Sequence, residues 1–191
     1  EGRERALDFA LANQAKGGGL ENIRKLMPKS LSRDGSGPWI GLALKTGDQA
    51  MLDAVYAQAL AGGFDPKVTA RVLGDLASAV SAWNLKPNGN AAQLLALFTS
   101  ADVDLASSAL RLAGALQTAD LFDAIAGRAL DGSAPLPVRL AALDGLSYFP
   151  STQARDTLAS MVASKATLDL RSHAALALAR HHRQAALDSI R

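Results

Sequence analysis

Three stretches decide the fold when stacked: SADVDLASSALRLAGAL (100–116), SAPLPVRLAALDGL (133–146) and KATLDLRSHAALALAR (165–180). Leu105, Val138 and Leu170 fall in register at steps of 33 and 32 residues, followed by Ala109, Ala142 and Ala174, then Ala113, Leu146 and Leu178. Within each stretch these positions are i, i+4 and i+8, one stripe along an α-helix. A second helical pattern follows each stretch in the same register, marked by Ile125, Leu158 and Ile190. Two stripes with a common period describe a repeating helical hairpin.

Boundary residues support that reading. Asp104 and Asp169 stand just before the apolar stripe, where a carboxylate accepts the orphan N–H groups of a first turn. Pro137 suits a first turn because its missing donor costs nothing there. Gly132, Pro135 and Pro150 punctuate the links, and links this short make consecutive helices antiparallel neighbours. Upstream the pattern continues with looser spacing, predicting helices near 3–15, 20–31 (interrupted at Pro28), 38–46, 48–61, 66–83 and 91–99. Gly17–Gly19, RDGSGP (33–38) and NLKPNGN (84–90) read as breaks and turns. No segment alternates as a strand does, so the expected architecture is all-α. It would be one domain over 1–191 of about five to six antiparallel hairpins, stacked as an α-α superhelix of the armadillo type.

Composition agrees and removes several function classes. Apolar residues make up 49% of the chain and aromatics only 5%, with Ala and Leu dominant. That mixture suits closely packed helices better than a sheet core, which favours β-branched and aromatic residues. No apolar run reaches the ~18 residues of a membrane span. Residues 1–47 carry 8 basic and 5 acidic groups, residues 48–135 carry 5 and 9, and residues 136–191 carry 7 and 4. The acidic middle argues against a nucleic-acid partner, which draws positive charge onto one face. The chain has no cysteine, which excludes disulfides, thiolate metal sites, a Cys nucleophile and covalent c-type haem attachment within it. Compartment stays open on this ground. The start at Glu1, without initiator Met or signal-like regions, reads as a piece of a longer protein.

The 33-residue period also fits tetratricopeptide and ankyrin arrays, but their Trp-Gly-Tyr and Thr-Pro-Leu-His signatures are missing. An apolar–Arg pair with small residues a turn later recurs instead: Val138-Arg139 with Ala141-Ala142, and Leu170-Arg171 with Ala174-Ala175. This resembles HEAT repeats, in which such an Arg commonly pairs with an acidic residue of a neighbouring hairpin. GPWIGLALKTGDQAMLDAVYAQAL (37–60), DPKVTARVLGDLASAVSAW (65–83) and VRLAALDGLSYFPSTQARDTLASMV (138–162) carry a closer likeness. Together they resemble the helical region of large planctomycete-type proteins described as membrane-bound dehydrogenases with a haem-binding C-terminus. The resemblance spans about residues 37–180. It implies a β-propeller before these repeats and a CxxCH cytochrome domain after them, with an extracytoplasmic setting. This chain has no CxxCH, so no cofactor is implied for it, and any redox role belongs to neighbouring domains.

Candidate sites each have a plainer explanation. His181 and His182, flanked by Arg180 and Arg183, join His173 on roughly one helical face as an imaginable metal or partner-binding cluster. A basic helix end favoured by the macrodipole is the plainer reading of them. Arg139 and Arg171 either line an anion-binding groove or form a ladder with Asp144, Asp156 or Asp169. Trp39 and Trp83 are hot-spot residue types that also close hydrophobic seams. Ser172-His173 cannot form a triad by adjacency, because neighbouring helical residues point about 100° apart. Gly17–Gly19 lacks the Lys-Ser/Thr of a phosphate loop. Asp102 and Asp104 lack the later ligands of a calcium loop and suit helix capping. The expected function is therefore a non-catalytic protein-interaction or spacer module. A HEAT-like DNA glycosylase and a chromophore-lyase-like factor are the enzyme alternatives. QAALDSIR (184–191) keeps Leu187 and Ile190 on the stripe, so a further domain or self-association is expected there.

Overall fold

A computed structural model describes residues 19–189, so the helix expected at 3–15 and the marker Ile190 lie outside the described residues. The described residues form α1 (Gly19–Leu26), α2 (Trp39–Thr46), α3 (Gln49–Leu60), α4 (Pro66–Trp83), α5 (Val103–Leu116), α6 (Phe122–Leu130), α7 (Leu136–Leu146), α8 (Thr152–Ala163), α9 (Leu168–Ala179) and α10 (Arg183–Ser189). Two 3₁₀ segments, Ala91–Leu97 and Ala119–Leu121, lie before α5 and α6. No strand occurs among the described residues.

Local chemistry sets the helix starts. Asp48 caps α3 by accepting the Met51 N–H at 3.0 Å, and Ser151 caps α8 through the Ala154 N–H at 3.2 Å. Asp102, not Asp104, caps α5, its Oδ1 accepting from Asp104 at 3.0 Å and Leu105 at 3.1 Å. Asp104 and Asp169 sit inside their first turns without capping bonds, where a carboxylate still meets the positive end of the helix dipole. Pro66 and Pro137 occupy first-turn positions. The helix expected over 20–31 ends at Leu26, ahead of Pro28, whose ring disfavours helical geometry in the residue before it. The helix expected over 91–99 is a 3₁₀ segment: it is seven residues long and buries only Leu94, too little packing to carry full α turns.

Packing arranges these helices in a row. α2, α4, α5, α7 and α9 touch in succession, and α3, α6, α8 and α10 flank them, α6 lying on α7 and α8 on α9. The 91–97 segment takes the flanking place between α3 and α6, packed on α5. One continuous apolar cluster runs from Ile23 to Ala186, and Ala109, Ala142 and Ala174 are all fully buried in it. α5 and α7 approach closely. A Cβ built on Gly114 would stand 2.3 Å from the Gly145 Cα, so only a residue without a side chain fits there.

Loops are tied down by side-chain amides and carboxylates. Gln58 accepts from the Leu31 N–H at 2.7 Å and donates to the Leu31 carbonyl at 2.9 Å, replacing a missing backbone ladder. Asp53 accepts from the backbone N–H of Asn88 at 2.7 Å and from its side chain at 2.8 Å, which anchors the 84–90 turn. Trp83 donates its indole N–H to the Leu44 carbonyl at 3.0 Å and lies over Gly47, closing the seam between α2 and α4 while half its surface stays open.

Candidate functional site

The row α5, α7 and α9 carries a polar bridge on its surface. Asp144, on α7, accepts from the Arg111 Nε of α5 at 2.8 Å and meets His173 Nε2 of α9 at 2.5 Å. One carboxylate thus ties three successive row helices together. Burial pushes the Asp144 carboxyl up, but the hydrogen bonds from His173 and Arg111, with their charges, bring it below the usual carboxylate value. The bond to Asp144 raises the His173 imidazole above its ordinary value, against a smaller opposing effect of burial.

Arg139 and Arg171 do not form the expected ladder with acidic residues. Arg139 donates from Nε to the Ala129 carbonyl at 3.0 Å, and Arg171 from Nε to the Val162 carbonyl at 2.9 Å. Both acceptors lie in the last turn of the preceding flanking helix, whose final carbonyls have no partner within the helix. The repeated Arg therefore caps the previous helix and fixes how each flanking helix meets the next row helix. Arg139 is half-buried and Arg171 exposed.

The histidines do not come together. His173 is held by Asp144, whereas His181 and His182 lie past the C-terminus of α9 with ring centroids 6.5 Å apart. Among the described residues no three His, Asp or Glu side chains gather as a metal site. Burial lowers the His181 imidazole, helped by the nearby Arg180 charge. Arg180 stacks on the Tyr148 ring at 4.1 Å from its centroid.

Besides a hollow of about 390 Å³ beside Trp83 between α2 and α4, three others open among the described residues. One, of about 330 Å³, lies between α4 and α5 and is edged by Lys67, Arg71, Asp75, Asp104 and Arg111. A second, of about 370 Å³, lies along α7 and α9 beside Asp144, His173 and Arg180. The third is apolar, of about 430 Å³, between α9 and α10, with Leu176 and Leu187 at its lip. Leu187, on the expected stripe, is 46% exposed, while its neighbour Ala186 is buried.

Sequence reasoning missed Arg111 and Tyr148. A signal for Arg111 exists: it stands 33 residues before Asp144, the same step that separates Ala109 from Ala142. α5 packs on α7, and opposite charges that share one register position meet there. Nothing comparable marks the Tyr148–Arg180 stack. No family model, curated protein or solved structure matches this chain. Among the described residues no helix is long and apolar enough to cross a membrane.

Proposed function

We propose that the chain is a non-catalytic protein-interaction or spacer module built as a HEAT-like solenoid. The observation that carries this reading is the repeated Arg-to-carbonyl cap together with the Arg111–Asp144–His173 bridge. Both devices use polar side chains to set the angle between successive hairpins. Small constant rotations between stacked hairpins produce an extended curved surface suited to docking. The row surface, with alternating charges at its hollows, is the docking face in this reading. The likeness to propeller and cytochrome-containing proteins supports a place beside redox domains in a larger extracytoplasmic polypeptide.

Two measurements test the proposal. A solenoid of this length gives a scattering radius of gyration clearly above the ~16 Å of a compact globule of equal size; a value at that figure overturns the architecture. Cross-linking mass spectrometry in the native cell should then join Lys67, beside the α4–α5 hollow, to a partner protein or a neighbouring domain. Cross-links confined to Lys165, in the link between α8 and α9, overturn the row as the docking face.

A further inference from the structure

We propose that the hollow along α7 and α9 recognises a carboxylate side chain of an acidic peptide segment, with Arg180 as the group that contacts it. This rests on the interaction-module reading and names the partner chemistry of one place on that surface. Arg111 is engaged on Asp144, and Arg139 and Arg171 on backbone carbonyls, while the exposed Arg183 lines the neighbouring apolar hollow between α9 and α10 instead. Arg180 has no carboxylate within ion-pair distance among the described residues. It lies 4.1 Å from the centroid of the Tyr148 ring. Stacking on an aromatic face limits a guanidinium's freedom and leaves its charge and in-plane donors available. Those donors match a carboxylate in a two-pronged geometry.

The rest of the hollow suits the same ligand. It is lined by Asp144, Ser147, His173, Leu176, Ala177 and Arg180. Asp144 is the one acid in this lining, and two donors already hold it. The Ser147 hydroxyl donates to the Asp144 carbonyl at 2.6 Å. With that acid compensated, the Arg180 charge sets the local sign. Leu176 is 74% exposed at the rim and offers an apolar wall to the methylene stem of a glutamate or to a flanking leucine. A guanidinium beside an apolar wall fits a carboxylate on a peptide. Nucleic acid instead asks for a track of cations along its phosphates, whereas Arg180 is the one Arg or Lys in this lining.

The test is a ¹H–¹⁵N NMR titration of the full chain with the blocked peptide Leu-Glu-Glu-Leu-Glu-Glu. Its glutamine counterpart and a deoxythymidine decamer are run in parallel. Saturable shifts at Arg180 Nε–H, His173 and Leu176 are expected with the Glu peptide alone. Arg180→Gln, with an unchanged circular dichroism spectrum, should weaken that binding roughly tenfold or more, the loss of a charge-assisted contact. Arg155→Gln, altering an exposed arginine paired with Asp156, should leave it intact. Equal binding of the glutamine peptide, the same shifts with the decamer, no saturable shift at this hollow, or full affinity in Arg180→Gln each overturn the assignment. If the peptide fails here while cellular cross-links still map to Lys67, the acidic-ligand assignment falls and the interaction reading stands.

Discussion

Gly114→Ala offers the sharpest test of how α5 meets α7. The new methyl would lie 2.3 Å from the Gly145 Cα and 2.4 Å from the Gly145 carbonyl oxygen. Ordinary carbon contacts are about 3.5–4.0 Å, so the two helices must part by roughly an ångström at this point. The obstacle is backbone, which no rotamer change can move aside, and overpacking of this kind costs about 1–3 kcal/mol. Alanine's better helix propensity returns up to about 1 kcal/mol. The balance is a net loss of up to about 3 kcal/mol, and for a chain of this size that lowers Tm by up to roughly 12 °C. Gly127→Ala, at an exposed position of α6, is the matched control. Nothing lies within 4 Å of its added Cβ, so it should gain about 0.4–1 kcal/mol, chiefly by restricting the unfolded chain. Thermal unfolding followed by circular dichroism on both variants reads the difference directly. If Gly114→Ala raises Tm as Gly127→Ala does, the close α5–α7 crossing is wrong.

Three further outcomes are expected. Ala142→Leu should overpack the same seam and destabilise by about 1–3 kcal/mol in denaturant unfolding, and unchanged stability would refute the burial of that stripe. The raised His173 pKa means its bridge contributes fully below the ordinary imidazole value of about 6.5 and is lost as pH climbs through the higher folded value. The lowered Asp144 pKa has the opposite edge: its contribution is present above about pH 4 and fades as pH falls through the folded value. The stability gap between the wild type and His173→Gln should therefore be widest near pH 5–6 and narrow by pH 9; a gap independent of pH contradicts the bridge. Arg171→Met keeps the aliphatic stem but removes the donor to Val162, costing about 1 kcal/mol. Faster amide exchange should appear at the end of α8, and protection there equal to wild type would show that the cap is unimportant.

Much of the molecule was legible in one dimension. The 3.6-residue spacing of apolar positions reports which face of a helix leaves water, so the burial of Ala109, Ala142 and Ala174 followed from their register. The turn prolines worked similarly, because their effect on the backbone is local. The 91–97 segment misled for the reason that makes short helices uncertain: its apolar content is helical, and whether it forms α or 3₁₀ turns depends on what it packs against.

Charge pairing belonged to the tertiary structure. Sequence pattern placed Arg139 and Arg171 at equivalent positions and named Asp144 as an acid within reach, but the rotation between a row helix and its flanking neighbour chose their partners. That rotation aims Arg139 at the Ala129 carbonyl and Arg171 at the Val162 carbonyl. The packing of α5 and α9 against α7 delivers Arg111 and His173 to Asp144 instead. Periodicity records each helix's own inward face. Crossing angle and axial offset decide which outward groups meet, and here a contact between two glycines, Gly114 and Gly145, permits the close crossing of α5 and α7 on which that offset depends.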